Sequence, residues 1–224
     1  MFNTMSQESV QSGNGDGDVV LRDDCDALQH FAYDIVEEKA KEREVKMKSV
    51  EKLRHYRPLR MFVSGAAGTG KSRTLRCYVR RRRMIAQGYG CPRHEAKDVT
   101  LLASPTGCAS FHMKYGATTV HRAFSLGFGG CKAWEEKDRS GDRYKKVFKR
   151  LKKSTFMALD EISMIGKRML GKIHYRMCDT LGDESREYNF DPLCVPSLNG
   201  KDCVINGHML QARPIGDTEP YRDA

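Results

Sequence analysis

Short apolar runs alternate with stretches of helical periodicity along this chain. The apolar runs at residues 59–64, 99–103, 155–159 and 203–206 predict strands. Residues 72–86 can form a helix, and apolar side chains recur at helical spacing early in a segment of 26–52 (Leu28, Phe31, Ala32, Ile35, Val36). Strands that alternate with helices predict an α/β fold whose parallel sheet is covered on both faces and binds ligand at the carboxyl ends of its strands.

The regions outside this pattern are polar. Residues 1–24 are rich in Gly, Asp and Ser, which predicts a disordered tail, whereas residues 127–140 and 182–200 are predicted loops. One ordered domain is expected over residues 25–217, beginning with a helical segment at 25–56 and followed by a short end at 218–224. A chain of 224 residues has room for one domain with a substantial core, and a second full-size domain does not fit.

Charge and composition narrow the partners. A net charge of +10 favours a polyanionic partner, with the charge concentrated at residues 80–83 and 145–153. Solvated helix faces are the alternative for both runs and are favoured for the arginines at 80–83, although these could also form a nuclear-targeting signal. The absence of a long apolar run or a signal pattern predicts no membrane partner and an intracellular, nuclear location.

The eight cysteines are far apart and include no C-x-x-C pair, which argues against a zinc module and a disulfide framework. We therefore expect reduced thiols. Cys91 and His94 could supply two metal ligands, but no second pair lies at a useful spacing, so a loop is favoured there.

Residues 65–72 match the phosphate-loop pattern G-x-x-x-x-G-K-[ST] between a predicted strand and a predicted helix. In such a loop, backbone N–H groups surround phosphates, the lysine reaches the β- and γ-phosphates, and the hydroxyl ligates Mg²⁺. A glycine-rich turn that serves packing alone is the alternative. The predicted nucleotide-binding residues are Gly65, Ala66, Ala67, Gly68, Thr69, Gly70, Lys71 and Ser72.

A second chemical group follows the strand at 155–159. Asp160 and Glu161 would place two carboxylates beside the phosphate loop if the two strands are neighbours in the sheet. Asp160 then suits Mg²⁺, and Glu161 suits the orientation and deprotonation of water. The alternative is an ordinary strand followed by an acidic helix start.

Three segments in this order resemble the first motor domain of the petite-integration-frequency (PIF) family of DNA helicases: GAAGTGKS at 65–72, ASPTGCASFHMKYGATTVHRAF at 103–124, and LDEISMI at 159–165. The family comprises superfamily-one, 5′-to-3′ enzymes with two RecA-like domains, and the resemblance spans about residues 26–217. It implies a RecA-like phosphate-loop domain that uses ATP and Mg²⁺, acts on single-stranded or forked DNA, and serves repair, recombination or telomere maintenance.

The resemblance also assigns individual residues. It places Gln29 on the adenine base and Gln211 at the γ-phosphate. It makes Thr106, Thr119, His121 and Phe124 candidate contacts to single-stranded DNA. The alternative interpretation is that Phe124 is a core residue and His121 a packed polar residue. The third segment, 207–217, departs from the family pattern at His208, Ala212 and Arg213, which puts the coupling of hydrolysis to DNA movement in question.

The sequence therefore predicts the ATP-binding half of a DNA helicase, with catalysis by Lys71, Glu161 and Gln211. The second RecA-like domain, which would supply an arginine finger, is expected to be missing from this chain. Because such a finger contributes roughly 10³ to 10⁵ in rate, the chain alone is expected to be a weak ATPase that does not unwind DNA. One alternative is a truncated or decayed binding module from a mobile element. A phosphate-loop kinase or other ATPase is disfavoured, since nothing resembles a lid or an acceptor site.

Overall fold

The computed structural model describes residues 25–49, 56–127, 132–182, 200–208 and 212–218. Its strands form one parallel sheet in the order β1-β5-β4-β2-β3. The strands are β1 (Arg60–Ser64), β2 (Thr100–Ser104), β3 (Thr118–Thr119), β4 (Phe156–Leu159) and β5 (Asp202–Gly207). The helices are α1 (Ala27–Lys46), α2 (Lys71–Gly88), α3 (Gly107–Met113), α4 (Val120–Phe124), α5 (Glu136–Arg139), α6 (Asp142–Lys153) and α7 (Lys167–Leu181).

Side chains on β2 and β4 point alternately to the two faces of the sheet, and each face carries its own core cluster. Leu101 and Leu159 join the cluster formed with α4, α6 and α7. Leu102 and Ala158 join the opposite cluster, which is formed with α1 and α2. The sheet is therefore buried on both sides, which explains why its central strands are continuous apolar runs.

The four predicted strands are confirmed to within a residue at each end, and the helix predicted at 72–86 is α2. Strand β3 was missed because it has only two residues, both threonines. Helix α5 lies inside the segment predicted to be a loop at 127–140. The predicted tail at 1–24 and nearly all of the predicted loop at 182–200 lie outside the described residues.

Two further expectations for the first helices need correction. In the predicted apolar stripe of α1, Leu28 is 82% exposed and Phe31 is 68% exposed, whereas Tyr33 and Val36 are buried. The arginine run at 80–83 is not a wholly solvated face, because Arg82 is only 1% exposed and donates to Glu44 and to Thr155 Oγ1. Helix α1, which carries Glu44, packs on α2, so the Arg82 side chain is covered by that contact.

Three further observations concern membrane spans, cysteines and metal ligands in the described residues. No described helix is long and apolar enough to cross a membrane. The described cysteines are free thiols, although Cys25 and Cys77 approach to 3.9 Å between their sulfurs. Over the same ranges, His, Cys, Asp and Glu form no group of three or more suited to a metal.

Candidate nucleotide-binding site

The predicted phosphate loop connects the carboxyl end of β1 to the amino end of α2. Gly68 and Gly70 have φ values of +81° and +79°, a region that side chains strongly disfavour. A Cβ at Gly65 would lie 2.7 Å from Thr69 Oγ1. The glycines therefore allow a tight curve that delivers the chain to the start of α2, where the first N–H groups have no acceptor within the helix.

Lys71 turns back over this loop. Its Nζ donates to the carbonyl oxygens of Gly65 and Ala66, both at 2.7 Å. Thr69 Oγ1 also donates to the Ala66 carbonyl at 2.9 Å. These contacts hold the ammonium on the loop, where phosphate oxygens could replace the carbonyl oxygens as acceptors.

Ser72 brings the phosphate loop into contact with the acidic pair. Ser72 Oγ donates to Asp160 Oδ2 at 3.0 Å across 88 residues of sequence. The sequence argument made this approach conditional on β1 and β4 being neighbours, and that condition is wrong because β5 lies between them. The contact forms nonetheless, since β1, β5 and β4 are parallel and their carboxyl ends share one edge of the sheet.

Both carboxyl groups lie in an environment that disfavours their charge. Asp160 is 3% exposed, and burial raises its pKa against the opposing effects of Ser72, the Glu161 N–H and Lys71. Burial, and then the Asp160 charge, raise the pKa of Glu161. Glu161 also has a φ of 55°, an uncommon conformation for a residue with a side chain. This pairing of raised pKa values with backbone strain is typical of functional sites.

The oxygen donors at this point suit a hard divalent cation. Mg²⁺ favours carboxylate and hydroxyl oxygens and takes only one or two protein ligands beside phosphates and water. The Ser72 hydroxyl and the Asp160 carboxylate, 3.0 Å apart, supply such a pair. A cation there would also offset the burial of the Asp160 charge, so the residues present fit Mg²⁺.

Gln29 reaches the phosphate loop from the start of α1. Its Oε1 accepts from the Asp26 N–H, and its Nε2 donates to the Thr69 carbonyl at 3.0 Å. A Cβ at Gly70 would lie 3.0 Å from the same Nε2, so the contact is close. Gln29 therefore lies at the rim of the phosphate loop.

Two site residues at the end of β5 were not predicted. Asn206 is fully buried, and its Nδ2 donates to the Lys71 carbonyl at 3.3 Å, while its Oδ1 has no partner in the structure. A Cβ at Gly207 would lie 2.9 Å from the Ile162 nitrogen, so the end of β5 packs against the turn after Glu161. In the sequence, Asn206 gave no signal of its own, and Gly207 was marked only as the first residue of the third segment. His208 follows directly, and Gln211 lies outside the described residues.

The candidate DNA contacts divide into two kinds. Thr106 and Thr119 accept from the N–H groups of Ala109 and Arg122, so their hydroxyls cap α3 and α4. His121 is partly exposed. Phe124 is 0% exposed within the core, which leaves its ring no surface for stacking on a base, so the core alternative holds for this residue.

Comparisons with known proteins agree with this geometry. Residues 37–222 match the family model described as PIF1-like helicase. The chain is 31% identical over 160 residues to the ATP-dependent DNA helicase Pif1 of Bdellovibrio bacteriovorus, covering 70% of this chain and 30% of the relative. It is 32% identical over 114 residues to the ATP-dependent DNA helicase PIF1 of Candida albicans, covering 51% of this chain and 11% of the relative.

The fold agrees as well. A crystal structure of Pif1 helicase from Candida albicans superposes with a TM-score of 0.56 at 21% identity, covering 85% of this chain and 34% of that chain. The chain thus spans about a third or less of each of these proteins. With the family model matching residues 37–222, and with the phosphate loop and acidic pair meeting at one edge of the sheet, this chain belongs to the PIF1-like helicase family.

Proposed function

We propose that this chain binds ATP with Mg²⁺ at the phosphate loop and hydrolyses it as the nucleotide-binding part of a DNA helicase. The observation that carries the proposal is the 3.0 Å contact between Ser72 Oγ and Asp160 Oδ2. It joins two segments that phosphate-loop enzymes use together and that are separated by 88 residues. The curated relatives are named as ATP-dependent DNA helicases, which supports DNA as the partner.

Each site residue has a role that its contacts support. Lys71 exchanges the loop carbonyls for the β- and γ-phosphates, and its charge stabilises the negative charge that develops there. Ser72 and Asp160 hold Mg²⁺, which when bound neutralises phosphate charge. Glu161 accepts a proton from the attacking water, and its raised pKa makes it a better base than an ordinary carboxylate.

The remaining assignments extend from the family. Gln29, which already contacts the Thr69 carbonyl, contacts the adenine base, and Gln211 senses the γ-phosphate. Thr106, Thr119 and His121 contact single-stranded or forked DNA. Repair, recombination or telomere maintenance in the nucleus is the biological setting that this activity would serve.

A second candidate function is nucleotide and DNA binding without turnover. It is favoured by His208, which directly follows β5 where the family has an acidic residue. A histidine in place of that acidic residue removes a negative charge at the end of β5. The two functions differ in one measurable property, which is hydrolysis.

Glu161→Gln separates these functions. The change removes the proposed base and leaves Lys71, Ser72 and Asp160, so Mg²⁺-dependent ATP binding measured by calorimetry should stay within about two-fold. Hydrolysis stimulated by single-stranded DNA should fall by roughly 10² or more, the scale of general-base catalysis. Glu135→Gln, a change at an exposed glutamate before α5, is the matched control and should have no effect.

Three outcomes are informative. Equal hydrolysis by wild type and Glu161→Gln contradicts the assigned base. Tight ATP binding with no hydrolysis by the wild type, with or without DNA, supports the second candidate. Absence of Mg²⁺-dependent ATP binding contradicts both functions.

A further inference from the structure

Two basic runs that are separate in the sequence meet at one cleft in the fold. Helix α2 contributes Arg83 from the run at 80–83, and α6 contributes two residues from the run at 145–153. The cleft has a volume of about 630 Å³. Its polar lining includes Arg83, Lys97, Tyr115, Arg122, Lys149 and Arg150.

The cleft is separate from the phosphate loop. Strand β1, which leads into that loop, is at one edge of the sheet, whereas β2 and β3 form the opposite edge. Strand β3 pairs only with Ala103 and Ser104, so the first half of β2, Thr100–Leu102, lies along the cleft. Neither nucleotide binding nor the acidic pair accounts for the cations gathered here.

Two of the arginines are held in place by neutral oxygens. Arg83 Nε donates to Thr100 Oγ1 and one of its terminal nitrogens to the Tyr115 carbonyl, both at 2.9 Å. Arg150 donates to the carbonyl oxygens of Arg122 and Ala123 at 3.1 and 2.9 Å. Burial, and then the neighbouring Arg122 charge, lower the pKa of Arg150, so two like charges lie close together at this wall.

Other members of the same two runs are paired with carboxylates. Arg81 and Arg82 bind Glu37 and Glu44, and Lys153 lies 3.3 Å from Glu95. In the cleft the balance between cations and carboxylates differs. Its one lining carboxylate, Asp98, lies 3.6 Å from Lys153.

The cleft cations Lys97, Arg122 and Lys149 form no ion pair with any carboxylate in the described part of the chain. Among the described residues, five cationic side chains therefore line a cleft whose one carboxylate, Asp98, already lies near Lys153. Such an excess of one charge attracts anions and their counterions.

We propose that this cleft binds the phosphate backbone of single-stranded nucleic acid, as a contact surface separate from Thr106, Thr119 and His121. The choice of nucleic acid rests on the proposed function, whereas the anion site rests on the cleft itself. The cations come from four separate parts of the chain, α2, α4, α6 and the turn before β2, and all of them line the cleft. A cleft lined by several cations suits several successive phosphates of a strand.

The test measures binding of a fluorescein-labelled 15-nucleotide single strand by anisotropy at two salt concentrations. Lys97→Glu with Lys149→Glu reverses two exposed cleft charges without touching the phosphate loop or the threonine caps. Lys145→Glu with Lys146→Glu makes the same change in charge on exposed α6 residues outside the cleft. Calorimetric ATP binding, measured on all three proteins, reports whether the nucleotide site is intact.

We expect the cleft variant to bind the strand at least ten-fold more weakly. The slope of log K against log salt concentration should become less steep by roughly 1.4, because two phosphate contacts are lost and each contributes about 0.7. The control variant should lose less than about three-fold, and ATP binding should stay unchanged in both.

Several results would overturn the proposal. Equal losses in the two variants would show that overall charge, not the cleft, attracts the strand, and no loss in the cleft variant would place all DNA contacts elsewhere. Displacement of the strand by inorganic phosphate at equal phosphate concentration would assign the cleft to a small anion. If the wild type does not bind ATP but the two variants differ in strand binding as expected, the proposed function is contradicted and the cleft proposal still holds.

Discussion

The phosphate-loop region and the Thr106–Phe124 region both carry motif residues, yet the fold uses them differently. At the phosphate loop, Asp160 is buried as a carboxylate whose pKa is raised, and Lys71 donates to loop carbonyls that a ligand could replace. In the other region, Thr106 and Thr119 cap helices and Phe124 fills the core. The first region holds a buried carboxyl group whose charge the fold disfavours, whereas the second holds groups that stabilise the fold.

This difference separates two kinds of motif residue. A buried carboxylate costs free energy unless it is paired, so its presence indicates a binding partner such as a cation. A threonine that caps a helix satisfies an N–H group that would otherwise be unpaired, so its presence is explained without a ligand. The energetics of the phosphate loop thus support the proposed ligand binding there, whereas DNA contact by the threonines needs a separate test.

Lys71→Ala tests the phosphate-loop side of this comparison and should have the largest effect, which is on ATP affinity. The change removes the only ammonium that contacts the phosphate loop among the described residues, so ATP affinity should fall by more than 100-fold, and binding should be undetectable by calorimetry. Stability should change little, because the lysine side chain donates only to carbonyls of its own loop and the Asn206 contact is to its backbone.

Lys167→Ala is the matched control, since Lys167 is the first residue of α7 as Lys71 is of α2. Its ATP affinity should equal that of the wild type. If Lys71→Ala binds ATP as tightly as the control, the phosphate loop is a packing turn and the contrast between the two regions disappears.

The sequence predicted the parts of the fold that depend on local pattern. The four apolar runs became β1, β2, β4 and β5, because a strand buried on both faces needs an uninterrupted apolar segment. The phosphate loop was predictable because its glycines, lysine and hydroxyl are adjacent in sequence. Asp160 was expected beside the phosphate loop on the condition that β1 and β4 are neighbours. That condition was wrong, and the contact with Ser72 forms because parallel strands share a carboxyl edge.

The sequence did not predict features that depend on which elements become neighbours. Nothing in the apolar runs shows that β5 inserts between β1 and β4. Helical periodicity placed Leu28 and Phe31 in one apolar stripe with Val36, but it cannot show whether another element covers that part of the helix, and both are exposed. Asn206 was missed because one polar residue in an apolar strand gives no signal until its Lys71 contact is known.

Removal of a threonine cap should have the next largest effect, which is on the free energy of unfolding. Thr119→Ala removes the hydroxyl that accepts from the Arg122 N–H, so unfolding should become easier by about 1 kcal/mol. Thr119→Ser keeps the hydroxyl and should restore most of that loss. Thr118→Ala, at the preceding residue, changes a hydroxyl with no such contact among the described residues. It is the control for stability only, since Thr118 lines the cleft, and thermal melts measure all three variants.

The same proteins test the DNA role of Thr119. If Thr119→Ala lowers stability and Thr119→Ser recovers it while single-stranded DNA affinity stays constant, the residue is structural. If stability stays constant and DNA affinity falls, Thr119 belongs with the ligand-binding residues, and the two regions are alike.

Asp160→Asn should have the smallest effect on stability, and it should stabilise the protein where Thr119→Ala destabilises it. Burial raises the pKa of Asp160 above the ordinary value of 3.8, so the folded state binds the proton more tightly than the unfolded state does. The wild type therefore loses stability as pH rises from 3.8 through the folded-state pKa, a loss that an asparagine cannot show. Without Mg²⁺ or ATP, the variant should be more stable near pH 7 by less than about 1 kcal/mol, since Ser72 still has an acceptor.

Both the pH and the ligand should change this small difference in a defined direction. The stability gap between Asp160→Asn and wild type should shrink as pH falls toward 4, where the wild-type carboxyl becomes protonated. Saturating Mg²⁺ and ATP should reverse the sign, because a ligand at 100 times its dissociation constant stabilises the wild type by about 2.7 kcal/mol and the variant by less. Melting curves at several pH values, with and without Mg²⁺–ATP, measure both changes. A variant less stable than wild type without ligand at pH 7 would show that Asp160 supports the fold as Thr119 does, and the energetic distinction between the two regions would fail.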